Sequence, residues 1–571
     1  MKSSMAELGL FTILLAALSF WRWLAPASFG AGARAFRQLA RKKSLACIAV
    51  ALLALAGATL LTVLFRIPQP TVHDEFSYLL AADTFAHGRL TNPAHALWES
   101  FETIHVNVRP TYHSMYPPAQ GAVLALGQVL SGYPIFGVWG SVAVGCGALC
   151  WMMQGFVPDR WAFFGALLAT VRLVFAAYPD GPSPAPGYWS HSYWGGGVAL
   201  LGGALLFGAA GRLVKRPSSA MAAILGIGCA ILANSRPFEG LVAALSGIAL
   251  LSWRLHWTVL RTLILPFCAI LVPTGAFMLY YNSATTGKPL QVPYQLNQTT
   301  SSTTPVLLLS EMRPVPEYRH KALQRYYLGW VRRHFIRQQS LTGFAQVGAG
   351  KLQTAWKFFC GPLLTVPLMA IFFTLRCRVT RIALASCLAA FWALANVTWF
   401  EPHYLAPVAG LFFLLLAQGT RWFASSAFSR RWLGPIFAPA LLISIATSNA
   451  IAVWEASTVD RSRHMAAKRA AITDQLLNLQ GRHLVLVGDG DGYAFLQDWI
   501  YNGADIDGSR IVWAHGDHEE QVEQLVTYFA GRQVWRIEAS QAGIELLPFS
   551  NSTRNDERRP GGLDMRGREE R

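Results

Sequence analysis

The chain has 571 residues, 53% of them hydrophobic and only 14% charged, and its mean hydropathy of +0.32 is too high for a soluble enzyme of this length. A formal charge of +17 would point to nucleic acid in a soluble protein, but in a membrane protein it is the arginine surplus of cytoplasmic connections, and no nucleic-acid partner is expected. The eight cysteines lie in or beside apolar runs, so neither a disulfide framework nor a zinc ligand set is indicated.

The first apolar run, Leu8 to Leu24, reads as a first span, a membrane-lying helix or a cleaved leader, because small residues follow it at Ala25, Ala27 and Ser28. Apolar runs of spanning length then predict helices near 44–66, 134–153, 160–178, 195–211, 219–234, 239–253, 262–281, 356–374, 382–399, 403–420 and 432–455, for about 11–13 spans in all. A partial or interfacial helix is expected at 118–131, between paired prolines and Ser131-Gly132-Tyr133-Pro134. The predicted class is therefore a polytopic α-helical membrane protein, residues 1–455, with external loops at 67–117 and 282–355. A small α/β unit is expected over 456–549, where a strand, a turn at Gly488 to Gly492, a helical stretch and a second strand follow one another. That turn lacks the G-x-G-x-x-G spacing of a dinucleotide loop. Residues 550–571 read as a disordered tail.

Charge sorts the connections. Arg34, Arg37, Arg41, Lys42 and Lys43, then Arg160, then Arg212, Lys215 and Arg216, then Arg254 and Arg261, then Arg376, Arg378 and Arg381, and finally Arg421, Arg430 and Arg431 occupy every second connection, the cytoplasmic set. The remaining connections face out and carry the unusual polar residues: His73-Asp74-Glu75, the segment between Tyr178 and Trp194, Asn234 to Glu239, the long loop from Asn282, and Phe400 to Tyr404. Within the long loop, Glu317 to Gln339 interleaves arginines with aromatics, as an amphipathic membrane-surface helix or a grip on anionic lipid would.

Each polar residue has a structural and a chemical reading. Asp74 and Glu75 fit the first turn of a helix, where carboxylates complement the dipole, and equally fit a general base facing the membrane surface. Arg236 is either an interfacial snorkelling side chain or a phosphate ligand, with Glu239 as its neighbour. His191 and His403 are imidazoles among aromatics. Together with Asp74 and Glu401 they offer ligands for a divalent metal ion, although no spacing is diagnostic and the metal stays unknown.

Four stretches resemble the GT-C glycosyltransferases, in particular the dolichyl-phosphate-mannose protein mannosyltransferase and lipid A aminoarabinose transferase-like superfamily. They are Asp74-Glu75 with Tyr78; Met115 to Leu126 (MYPPAQGAVLAL); HSYWGG, which contains His191 and Tyr193, with NSRPFEGL; and Thr285 to Tyr294 (TTGKPLQVPY). The resemblance implies transfer of a sugar, with inversion, from a polyprenyl-phosphate donor to a glycan, lipid or protein acceptor on the outer face of a multi-pass membrane protein. A bacterial inner membrane is the expected setting, with the site facing the periplasm or exterior. By the same resemblance Asp74 is the general base, Glu75 its support, and Arg236 a ligand of the donor phosphate. Tyr116 stands where the aminoarabinose-transferase pattern has a lysine before the paired prolines, which turns attention to Arg109, His113 and Arg236 for phosphate binding. The rival readings are a lipid or solute transporter, for which midplane charges and inverted repeats are expected, and a non-catalytic scaffold displaying the C-terminal unit.

Overall fold

A computed structural model describes residues 2–178, 186–252, 257–426, 433–459, 465–488, 499–540 and 543–549. Among the described residues, nine helical segments are long and apolar enough to cross a membrane, and two shorter apolar helices, Ser219–Ser235 and Pro237–Leu251, accompany them. The predicted spans appear with shifted ends. Helices form at Lys43–Phe65, Ile135–Gln154, Asp159–Phe175, Gly196–Leu213, Arg378–Ala395, Ala406–Ser425 and Gly434–Ser457. The first apolar run is a helix, Lys2–Leu24, whose Phe11 packs edge-on against Phe437 at 5.7 Å. The partial helix expected at 118–131 is Pro118–Ser131, with Pro118 in its first turn and Gly132 closing it in the left-handed region (φ 82°).

Two loop boundaries move. The span expected at 262–281 runs from Trp257 to Thr286, and the one expected at 356–374 begins at Leu341, so the long loop is shorter than its polar composition implied. In both cases polar and small residues continue a helix past its apolar run, where hydropathy gives no signal.

Close helix approach depends on small residues. A Cβ on Gly203 would collide with the backbone carbonyl of Pro407, where helices Gly196–Leu213 and Ala406–Ser425 cross, and one on Gly228 would lie 2.6 Å from the amide nitrogen of Leu206. The basic connections meet at one end of this bundle. Lys43 pairs with Asp159 at 3.7 Å, Lys215 Nζ donates to the carbonyl of Gly155 at 2.5 Å, and Arg212 Nη2 donates to that of Trp151 at 2.8 Å.

At the other end, the loop after Phe65 forms the helix His73–Ala86 and a three-stranded antiparallel sheet, Asn92–Pro93, Thr111–Ser114 and Val106–Asn107 in spatial order. The Glu317 to Gln339 stretch is helical over Lys321–Gln324, Arg325–Val331 and Arg332–Arg337, and the middle piece is a π-turn. That wide turn turns adjacent Tyr326 and Tyr327 inward together, onto buried Ile104, Leu323 and Val331. The stretch is helical, but its apolar residues pack against the protein and not, as expected, on a membrane surface.

The C-terminal α/β region is a four-stranded sheet ordered Ile511–His515, His483–Val487, Gln533–Ser540, Gly543–Pro548; the first three strands are parallel and the last is antiparallel. Of its two inner strands, His483–Val487 reads HLVLV without alternation because both faces are buried. The Gly488–Gly492 turn beyond Gly488, the helical stretch after it and the tail from Ser550 lie outside the described residues.

Gly203→Val is expected to cost about 1–3 kcal/mol or more through overpacking, whereas Gly275→Ala, at a position with nothing within 4 Å of a new Cβ, should be neutral. Thermal unfolding of the two purified variants in detergent checks the difference.

Candidate functional site

The helix bearing Asp74 starts because Val72 is extended and Glu75, three residues on, folds back. Glu75 Oε2 accepts the Thr71 amide at 2.7 Å and the Thr71 hydroxyl at 2.8 Å, a capping-box-like closure of the first turn. Its other oxygen accepts the Tyr193 amide at 3.1 Å, which ties the 186–194 segment to this helix. Burial pushes the Glu75 carboxyl above its ordinary range despite these donors. Glu75 is therefore turned away from Asp74, and the two carboxylates do not form a facing pair.

Asp74 lies elsewhere. Its Oδ1 is 2.7 Å from His105 Nδ1 and also accepts the Tyr116 hydroxyl, while its side chain stays 21% exposed. Burial alone would raise the Asp74 carboxyl; His105, the Tyr116 hydrogen bond and His73 outweigh it, and the group is held below the ordinary carboxylate range. His105 is in turn fixed on both sides. Tyr326 Oη lies 3.1 Å from its Nε2, and its carbonyl accepts Ser77 Oγ at 2.7 Å and the Met115 amide at 3.2 Å. His105 adopts φ 63°, an uncommon conformation for a residue with a Cβ, and those hydrogen bonds hold it there. Tyr116 is stacked on Tyr78 at 4.4 Å.

These groups border a cavity of about 310 Å³ whose wall includes Asp74, His105, Tyr116, Arg236, Glu239 and Glu401, with Tyr294, Tyr326, Trp330, Trp399 and Tyr404 as aromatic surface. Arg236 occupies the break between Ser219–Ser235 and Pro237–Leu251, so the N-terminus of the second helix also borders the cavity. The guanidinium lies 4.5 Å over the Tyr404 ring and 4.0 Å from Glu239 Oε1. Glu401 takes a hydrogen bond from Tyr188 Oη at 3.2 Å, and burial followed by the Asp74 charge pushes its carboxyl up to about 8. Of the three carboxylates, Glu239 faces a cation, Glu401 is mostly neutral near pH 7, and Asp74 is kept ionised. The cavity thus holds an ionised acceptor of protons, a fixed cation with a helix N-terminus suited to an anion, and flat aromatic walls.

The remaining sequence candidates fall outside this wall. Arg109 lies 5.0 Å over Trp98 in the outer loop. Buried His113 bonds Asn107 Nδ2 through Nε2 at 3.1 Å and is pushed down to about 4 by burial. His191 Nδ1 lies 3.2 Å from Thr62 Oγ1, Tyr193 Oη donates to the Pro68 carbonyl at 3.1 Å, and His403 Nδ1 lies 2.7 Å from Tyr188 Oη. Of the three basic residues considered for phosphate binding, Arg236 lines the cavity and Arg109 and His113 do not. The metal set Asp74, Glu401, His191 and His403 is not assembled either; the one ligand group of three that meets among the described residues is His320, His515 and Asp517. Sequence reasoning missed His105, Tyr326, Trp330 and Trp399. A histidine flanked by Ile104 and Val106 carries no local sign that its ring faces a carboxylate, Tyr326 and Trp330 looked like part of a surface helix, and Trp399 looked like the end of a span.

A carboxyl whose neutral form the fold prefers contributes its full stability below the ordinary carboxylate value of 4.5 and loses it as pH rises through about 8. Wild-type protein should therefore lose thermal stability relative to Glu401→Gln across that interval, and the two melting-temperature curves, measured against pH, should diverge in favour of the amide at the alkaline end.

No family model and no curated protein matches the chain. Among solved structures it is similar to the oligosaccharyltransferase of Archaeoglobus fulgidus in complex with Zn and sulfate, at 12% identity over 85% of this chain and 68% of that one, with a TM-score of 0.47. It is likewise similar to ArnT from Cupriavidus metallidurans in the apo state, at 14% identity over 85% of this chain and 92% of that one, with a TM-score of 0.45.

Proposed function

We propose that this protein is a membrane glycosyltransferase that moves a sugar from a polyprenyl-phosphate donor to a hydroxyl or amine acceptor, with Asp74 as general base. The observation that carries the reading is the clamp on Asp74: a carboxylate kept ionised by His105 and Tyr116, in the wall of a cavity that also holds Arg236. The motif resemblance of the Asp74, Tyr116–Pro118 and Arg236 stretches points the same way.

The reaction follows from the groups. The acceptor oxygen or nitrogen attacks the anomeric carbon as the bond from that carbon to the phosphate oxygen breaks, a single displacement that inverts the centre. Asp74 takes the acceptor proton as the new bond forms, and His105 keeps the carboxylate oriented towards it. Negative charge gathers on the departing phosphate, where Arg236 and the N-terminus of Pro237–Leu251 stabilise it. Tyr326, Trp330, Trp399 and Tyr404 offer faces for the sugar ring. Phe238, Leu241, Leu245 and Ile248 on the same helix are exposed and apolar, a path along which a polyprenyl tail stays in the bilayer while its phosphate reaches Arg236. Glu75 acts at one remove, by closing the helix turn that aims Asp74. In this reading residues 1–455 are the transferase, and the cavity end faces outward, opposite the arginine-rich connections. In a bacterial inner membrane that is the periplasmic or exterior side.

Cells lacking the protein and complemented with Asp74→Asn should show transfer reduced by about 10²–10⁴-fold, read as a missing sugar in glycolipid or surface polysaccharide while wild-type complementation restores it. Normal glycosylation by a well-expressed Asp74→Asn variant would sink the base assignment. Arg236→Gln should weaken donor use at least as strongly, and Arg236→Lys should recover only part of it because a point charge replaces a planar fork.

A further inference from the structure

Away from the cavity, three segments distant in sequence converge on two stacked imidazoles. His320, from the long loop, and His515, at the end of the strand Ile511–His515, lie with ring centroids 3.6 Å apart and planes 6° apart. His320 is 1% exposed and His515 is 3% exposed. Each ring is held through the same nitrogen: His320 Nε2 lies 2.8 Å from the carbonyl oxygen of Glu99, and His515 Nε2 lies 2.8 Å from that of Glu102. A carbonyl only accepts, so both neutral imidazoles carry their proton on Nε2 and present a lone pair at Nδ1. The Asp517 carboxylate stands before both lone pairs, its Oδ2 3.9 Å from His320 Nδ1 and 3.7 Å from His515 Nδ1. The three ligand atoms lie within 4.8 Å of one another. His320 Nδ1, fully buried, has no hydrogen-bond partner among the described residues.

Three electron-pair donors gathered this closely favour a cation among them, and a tilt of the two stacked rings would aim both lone pairs at it. Fixing a histidine's far nitrogen on a backbone carbonyl is also how proteins orient a metal-binding imidazole. The carbonyls themselves are held in place, because Arg319, next to His320, pairs with Glu99 Oε1 at 3.2 Å and Glu102 Oε1 at 3.3 Å. We propose that His320 Nδ1, His515 Nδ1 and the Asp517 carboxylate bind a divalent transition metal of the zinc class, which clips the C-terminal α/β region to the outer loops. Two imidazole nitrogens and one carboxylate oxygen match the donor preference of Zn(II) or Co(II), and a fourth position is left for water. None of the three residues borders the cavity, so the ion's role is architectural.

The test uses the full chain in detergent, stripped with a chelator and titrated with Zn(II), then with Co(II) as a coloured probe. Wild-type protein should bind one equivalent and gain thermal stability on binding. His320→Ala/His515→Ala should lose that equivalent, and Asp517→Asn, which preserves side-chain shape, should weaken it by about 10–100-fold or more. The visible Co(II) spectrum should carry the signature of nitrogen and oxygen ligation and vanish in the double variant. The proposal is overturned if wild-type protein shows no saturable binding. It is equally overturned if a monodisperse Asp517→Asn protein binds as tightly as wild type, with the same spectrum.

Discussion

A carboxylate inside an aromatic-walled cleft stays ionised only when donors surround it, and the outer half of this molecule is organised around meeting that condition for Asp74. Burial by itself would neutralise the group, as it does for nearby Glu401. Both donors come from the outer loop: His105 from just before the strand Val106–Asn107 and Tyr116 from the approach to helix Pro118–Ser131. Each is itself fixed, His105 by Ser77, Met115 and Tyr326, and Tyr116 by stacking on Tyr78. The small sheet of the outer loop brings this second layer together, since Ser114, on its central strand, lies 2.7 Å from Ser77 Oγ. Sheet, helix start and long-loop helix are thus coupled through one charge.

The helical bundle supplies the complementary constraint. It keeps basic connections at one end and the Asp74–Arg236 cleft at the other, and close glycine contacts such as Gly203 on Pro407 fix the crossings. Arg236 depends on this arrangement most directly. It sits where one apolar helix stops and the next begins, so its position is set by backbone geometry, and the Tyr404 ring beneath it limits the swing of the guanidinium.

The spans were legible in the sequence because apolar length is a strong signal, and the sorting of charges between connections placed Asp74, Arg236 and Glu401 on one face before any contact was known. What was not legible depended mostly on partners distant in the sequence. Glu75 read as the support of Asp74, but the partners of its two oxygens, Thr71 and Tyr193, were not marked by any motif. His191 and His403, offered as metal ligands, are buried against Thr62 and Tyr188. His105 carried no pattern, and its ring direction is decided by a left-handed backbone conformation that no periodicity encodes. Asn297, in the polar run after helix Trp257–Thr286, is buried and donates to Asn107 Oδ1, a contact that local sequence does not mark.

His73 is the neighbour of Asp74 for which the sequence offered no role, and its environment shows how the C-terminal region enters the site. Tyr501 Oη donates to the Ile104 carbonyl at 3.1 Å and lies 2.8 Å from His73 Nδ1, while its ring stacks on Phe76 at 4.2 Å. Asp83, on the same helix, accepts the Ala504 amide at 2.7 Å. The residue before the key carboxylate and the residue before its histidine partner are therefore both fastened by one tyrosine from the far end of the chain. Modularity is the property lost by this arrangement. The C-terminal region cannot be exchanged as an independent cassette, because any replacement would have to reproduce Tyr501 to leave the Asp74–His105 alignment intact.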